Sequence, residues 1–220
     1  MGWSASPKIS RVEKVPRRKE FIVELSDGTT IRALDEHRSR YALEEGNPIS
    51  QDALLEISAS YEYTEARQSA MRLLKTRPRT ETEIRRRFLK QGISGKISQR
   101  VIDDLKSEGQ LNDRLFAALW IKEKVGRGTS GRRRIMEDLR SKGIDKAVVE
   151  EQLALNYDDG EEKKIASRLA EKRLSRLETM PNRLGIQRVY MYLLRRGFDA
   201  DLARTAVEAA LRNLKMEGKR

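Results

Sequence analysis

Arginine and lysine supply most of the chemistry that this sequence offers. They gather on three short helical stretches: Arg85, Arg86, Arg87 and Lys90; Arg132, Arg133, Arg134, Arg140 and Lys142; and Arg188, Arg195 and Arg196. A guanidinium is a permanently charged fork that matches carboxylate or phosphate oxygens two at a time, so such clusters hold anions rather than move protons. The groups that usually run reactions are scarce. Cysteine is absent, which removes thiolate nucleophiles, thiolate metal sites and disulfides. The only histidine is His37, so a His-rich metal site is excluded and any histidine-centred triad would need that residue. Beside Glu36 on a short helix, His37 reads as a surface residue.

Carboxylates do not fill the gap. Asp103–Asp104, Asp158–Asp159 and Glu161–Glu162 are adjacent pairs, and neighbours on a helix diverge by about 100° instead of converging on one substrate. The stretch Gly126–Gly131, GRGTSG, lacks the Lys-Ser/Thr ending of a phosphate-binding P-loop, and no glycine fingerprint for a dinucleotide occurs. The expectation is a binding protein, not an enzyme, with no cofactor and no metal.

The charge is uneven. The net formal charge is +12, yet residues 1–64 carry nine Lys/Arg against eleven Asp/Glu, a balance of −2, while residues 65–220 carry 37 against 23, a balance of +14. The basic part is therefore expected to meet something anionic, nucleic acid or an acidic protein groove. The longest apolar run, Phe116 to Ile121, is far short of the roughly 20 residues of a membrane span. No charged-then-apolar segment opens the sequence, and a cytoplasmic protein is expected. The opening MGWSAS fits the loose myristoylation pattern through Gly2 and Ser6, although Trp3 there equally suits simple packing.

These side chains must be positioned by elements that the pattern reveals. Lys8–Val15, Glu20–Leu25 and Thr29–Leu34 read as strands, with Phe21, Val23 and Leu25 on one face and Asp27-Gly28 at a hairpin turn. Pro16, Arg17 and Arg18 make the earlier turn. Such a meander is too small to stand alone. A helix capped by Asp35 is expected to reach about Glu45 and stop at Gly46; Ser50 caps the next, carrying Leu54, Leu55, Ile57 and Tyr61. Beyond Tyr63 the spacing predicts helices throughout.

Those helices repeat. Phe88, Gly92 and Ile93 match Leu139, Gly143 and Ile144, and again Leu193, Gly197 and Phe198. Each glycine should close a helix in the left-handed conformation, with the following apolar residue folded back on the last turn. An amphipathic helix precedes each ending and another follows it. A period near 50 residues predicts three units of three helices, placed at 65–111, 112–157 and 158–220 after an N-terminal region of 1–64. The fold class is mainly α: tandem three-helix repeats in an elongated curved array, with a small N-terminal antiparallel β meander.

Three stretches carry a family resemblance. Arg79–Ile93 (RTETEIRRRFLKQGI), Val101–Ala117 (VIDDLKSEGQLNDRLFA) and Gly131–Asp145 (GRRRIMEDLRSKGID) resemble the signatures of the RecX family. Asn112 departs from the pattern, where Asp is commoner, and the third repeat agrees only in pattern. The resemblance implies binding to the RecA filament on single-stranded DNA. It also implies restraint of that filament's growth, ATP turnover, strand exchange and coprotease role in recombination, repair and the SOS response. A monomer is expected, with weak nonspecific contact to DNA and none to membrane.

Among the basic residues, Arg132, Arg133 and Arg134 are the leading candidates. They open a helix after a glycine-rich turn, where free N–H groups also favour anions. Each arginine could equally be a solvated helix face whose stem covers apolar surface. The two arginine triplets are out of register relative to the repeat glycine, so no repeated ligand pocket is expected. The alternative function is direct, sequence-tolerant DNA binding by helix-turn-helix-like modules. No unit clusters the Asn, Gln and Arg on one helix face that base reading requires.

Overall fold

The computed structural model describes residues 6–177 and 182–217; Gly2 lies outside them. Two compact units emerge. One comprises the chain up to Arg77 together with Arg85–Glu108, and the other comprises Pro78–Ile84 together with the chain from Gly109 onward.

The first unit begins with an antiparallel sheet in the order β1 (Ile9–Lys14), β2 (Glu20–Leu25), β3 (Thr30–Leu34). β2 is central, and Phe21, Val23 and Leu25 all point to one face because side chains alternate along a strand. All three are buried, with Ile9, Leu43, Ile49, Leu54 and Ile57, in a small apolar core. Gly28 turns the second hairpin at φ 83°, and Arg17 takes φ 62° in the first.

Helix α1 spans only Asp35–Arg40, five residues short of the expected end near Glu45. The reason lies beyond it. Ala42 adopts a left-handed φ of 46°, which drops Leu43 into the core. Gly46 N–H then bonds to Ile9 O at 2.8 Å and Ile49 N–H to Pro7 O at 3.0 Å. Pairing with the sheet edge thus outcompetes continuation of the helix. His37 is likewise not a surface residue: it is 3% exposed. Its Nδ1 accepts the Leu34 N–H at 3.1 Å, and its Nε2 lies 3.0 Å from Ser60 Oγ. Burial lowers its pKa from the usual 6.5, the neighbouring Arg40 adds to that, and Glu36 and Glu56 oppose it.

α2 runs without a break from Gln51 to Leu74, so the boundary expected between residues 64 and 65 falls inside a helix. Ser50 caps it through Ala53 N–H at 3.2 Å. One end buries Leu54 and Ile57, the other Ala66 and Ala70. α3 (Glu81–Lys90) and α4 (Gly95–Ser107) follow. The second unit holds α5 (Asp113–Arg127), α6 (Arg132–Ser141), α7 (Lys146–Asn156), α8 (Asp159–Leu174), α9 (Arg183–Arg195) and α10 (Ala200–Glu217). In each repeat the first helix packs on the third: α2 on α4, α5 on α7 and α8 on α10. The chain is thus mainly helical, built as tandem three-helix repeats behind a β meander.

The middle helices end alike. Ile93 N–H reaches Phe88 O at 3.1 Å, Ile144 N–H reaches Leu139 O at 3.3 Å, and Phe198 N–H reaches Leu193 O at 3.2 Å. In each, the glycine has a φ between 73° and 83°, and a second bond runs from its own N–H to the carbonyl three residues back. This is the left-handed helix stop that the Gly-plus-apolar endings predict. Ser94, Asp145 and Asp199 then cap the third helices.

Candidate functional site

The basic residues are placed by a backbone joint that occurs twice in the second unit. In the first copy, Thr80 is fully buried. Its hydroxyl donates to Lys142 O at 3.0 Å and accepts the Glu83 N–H at 3.2 Å. Glu83 reaches back to the Thr80 N–H at 3.4 Å, completing a capping box. Glu81 N–H donates to Asp113 Oδ1 at 3.0 Å, and Thr82 Oγ1 lies 3.4 Å from Gly143 O. In the second copy, Gly131 N–H donates to Arg196 O at 2.8 Å and Arg133 N–H to Gly197 O at 3.1 Å. Arg132 N–H donates to Glu162 Oε1 at 2.6 Å. So the first turns of α3 and α6 each seat on the glycine end of the next middle helix and on a carboxylate from the next repeat's first helix.

This joint corrects the reading of the arginine triplet. The N–H groups of Gly131, Arg132 and Arg133 at the start of α6 are not free for an outside anion; Glu162, itself buried, and the carbonyls of Arg196 and Gly197 already take them. Arg132 is also held by its side chain. Its guanidinium pairs with Asp159 at 2.9 Å and Glu162 at 3.5 Å, donates to Tyr157 O and covers the Tyr157 ring at 5.6 Å. Tyr157 is buried, and desolvation with the Glu162 charge pushes its hydroxyl far above the ordinary tyrosine range. Arg133 and Arg134 are exposed, with paired acids one turn on: Arg133 with Glu137 at 3.6 Å, and Arg134 with Asp138 at 3.2 Å.

The other candidates divide in the same way. Arg85 donates to Gln99 at 2.6 Å. Arg86, Arg87 and Lys90 are exposed and make no ion pair among the described residues, and the same holds for the pairing of Arg140, Arg188 and Arg195. Lys142 lies 4.3 Å over the Trp120 ring and 5.8 Å from that of Phe116. Arg196, at the matching position of the next repeat, lies 5.2 Å over Tyr192, whose ring Arg173 also approaches, at 4.6 Å.

Two clefts of the second unit collect the rest. One is lined by Lys124, Thr129, Ser130, Arg134, Arg195 and Arg196, with Asp138 between Lys124 and Arg134. The other is lined by Arg173, Arg176, Arg188, Arg195 and Tyr192, with Leu177, Gly185 and Val189 beneath. Arg195 belongs to both, so they form one basic track. The structure therefore joins Arg134 with Arg188, Arg195 and Arg196. Sequence reading missed Lys124, Arg173 and Arg176 because the first two lie on first helices and the third just past the end of α8, all outside the middle-helix runs. For Lys124 and Arg173 the legible signal was only a cation in the last turn of α5 and of α8. Among the described residues, no group of three acids or histidines could hold a metal ion, and no helix is long and apolar enough to cross a membrane.

Fold and site together define a tandem three-helix repeat protein with a basic track on its second unit. Models of the first, second and third three-helix domains of RecX match residues 66–105, 112–153 and 161–207. The chain belongs to the RecX family. Regulatory protein RecX of Amycolatopsis mediterranei (strain U-32) is 31% identical over 71% of this chain and 89% of its own. That of Streptococcus sanguinis (strain SK36) is 26% identical over 91% and 76%. A crystal structure of regulatory protein RecX is similar in fold, with a TM-score of 0.70 at 19% identity, covering 92% of this chain and 99% of that one. The relatives' shared name supports a regulatory role.

Proposed function

We propose that this chain is a regulator without a reaction of its own, which binds the RecA filament on single-stranded DNA and restrains its growth and ATP turnover. It acts as a monomer in the cytoplasm, in recombination, repair and the SOS response. The observation that carries this reading is the basic track, in which cations from the second and third repeats converge and Arg188 and Arg195 have no acid to neutralise them among the described residues. A filament presents DNA phosphates and protein carboxylates along one surface, and a track spread over successive repeats meets several of them at once. The basic residues of α3 (Arg86, Arg87 and Lys90), with Arg140 and Lys142 at the end of α6, are further contacts.

The test is RecA ATP turnover on single-stranded DNA, titrated with wild type and with the combined variant Arg134→Ala, Arg188→Ala, Arg195→Ala. Charge-assisted contacts contribute roughly 1.5–3 kcal/mol apiece, so inhibition should weaken about ten-fold or more. No inhibition by wild type at any ratio would sink the proposal. The second reading, sequence-tolerant binding to bare DNA, draws on the same track. It predicts a log-log salt slope of about −0.9 per phosphate neutralised on duplex DNA, and it prevails if bare DNA binds as tightly as the filament does.

A further inference from the structure

We infer that the cleft formed by Lys124, Thr129, Ser130, Arg134, Arg195 and Arg196 is a phosphate-binding site, a deepening that rests on the filament-binding reading above. Four cations line it with one carboxylate, Asp138, and Glu137 comes within 4.0 Å of Arg134 from outside the lining, so at least two formal positive charges are left over. Asp138 bridges Lys124 at 3.6 Å and Arg134 at 3.2 Å, which holds two of the cations in place without cancelling the rest. Arg195 and Arg196 form no ion pair among the described residues. The cleft measures about 390 Å³ and its lining is almost wholly polar. Small-molecule pockets of that size are predominantly apolar. This one suits a strongly charged, hydrogen-bonding anion.

The backbone that carries the neutral donors is fixed as well. Thr129 and Ser130 sit on the loop from Gly128 to Gly131, and that loop is tied at both ends. Arg168 donates to Gly128 O at 3.3 Å, and the buried Tyr157 hydroxyl donates to Ser130 O at 3.1 Å. Gly131 N–H then bonds to Arg196 O, which ties the loop to the two arginines of the opposite wall. Hydroxyl donors and guanidinium forks held around one polar space match the several acceptor oxygens of a phosphate. A carboxylate would leave most of those donors unused. The phosphate could come from a nucleic-acid backbone or from a free phosphorylated molecule, and both present the same oxygens.

The experiment follows the amide resonances of Thr129 and Ser130 while inorganic phosphate, and separately single-stranded oligothymidylate, is titrated into the full chain. In parallel, anisotropy of labelled oligothymidylate is read for Arg195→Gln with Arg196→Gln and for the control Lys146→Gln with Lys163→Gln, two exposed lysines outside the cleft. Phosphate should shift both amides. The arginine pair should lower oligonucleotide affinity about ten-fold or more, and its log-log salt slope should be shallower by about 0.7 for each phosphate no longer neutralised; the lysine pair should change far less. Oligonucleotide that displaces phosphate from the shifted amides identifies a backbone phosphate, and failure to displace it identifies a free phosphorylated ligand; either supports the site. Unmoved amides, or amides that shift with phosphate as strongly in the arginine pair as in wild type, would overturn it. Should Arg196→Gln disturb Tyr192, Arg195→Gln alone carries the same test. Shifted amides in a protein that leaves RecA turnover untouched would uphold the cleft and sink the filament reading instead.

Discussion

Arg85–Arg87 and Arg132–Arg134 are the same tripeptide on equivalent helices, yet they answer to different surroundings. Arg132–Arg134 are the first three residues of α6, inside the joint with the third repeat, so Arg132 is consumed by Glu162, Asp159 and Tyr157. Arg85–Arg87 come a turn later on α3, after Glu81 and Thr82 have made the corresponding joint bonds, and Arg86 and Arg87 remain exposed. The lesson concerns direction. Whether the side chain turns toward the next repeat's carboxylates, more than charge, decides whether an arginine holds the fold: Arg132 meets Glu162 and Asp159, while Arg133 and Arg134 in the same joint are exposed.

The largest effects should come from the core that both joints rest upon. Leu139→Ala and Phe116→Ala remove side chains that are 0% and 6% exposed, and each should cost about 2–5 kcal/mol in urea unfolding. Unchanged midpoints in both would mean that the repeat register is misread. Next come the joint glycines. A Cβ on Gly197 would lie 2.2 Å from Arg134 N, whereas one on Gly92 would meet nothing within 4 Å. Gly92→Ala should therefore cost only the left-handed backbone penalty of about 1–2 kcal/mol, and Gly197→Ala that penalty plus about 1–3 kcal/mol of overpacking. Equal losses in the two melts would erase the distinction between a helix stop and a joint.

The arginines themselves give smaller differences. Arg132→Ala leaves Glu162 buried with a backbone N–H as its remaining donor and should cost about 1–3 kcal/mol. Arg133→Ala and Arg86→Ala should stay within about 0.5 kcal/mol. A thermal melt in which all three behave alike would break the comparison. The last effect lies in the first unit, outside both joints. His37 has a lowered pKa when folded, so the unfolded chain binds more protons as pH falls below about 6.5. Stability of that unit should be full above that pH and decline toward acid. A flat urea midpoint between about pH 7.5 and 5 would contradict the burial of His37 as a neutral group.

The sequence by itself determined the local features. Asp27-Gly28 specifies a hairpin turn, and Phe21, Val23 and Leu25 specify a core face. Each Gly-plus-apolar ending specifies a left-handed helix stop, because these depend on φ preferences and on side-chain periodicity within a few residues. The end of α1 and the burial of His37 were not legible, since both follow from pairing with a sheet edge and a helix far away in the chain. The candidate site was half legible. Its arginines are visible as runs, but which of them are free depends on Glu162 some thirty residues on and on the Arg196–Gly197 carbonyls more than sixty residues on. Thr129 and Ser130 enter the site only because the Gly128–Gly131 loop is tied down beside the end of α9, and Lys124 joins them across its ion pair with Asp138. Local propensity acts through neighbours in sequence, whereas a binding surface is made by groups that meet only after the chain has closed on itself, and that closure belongs to the tertiary structure alone.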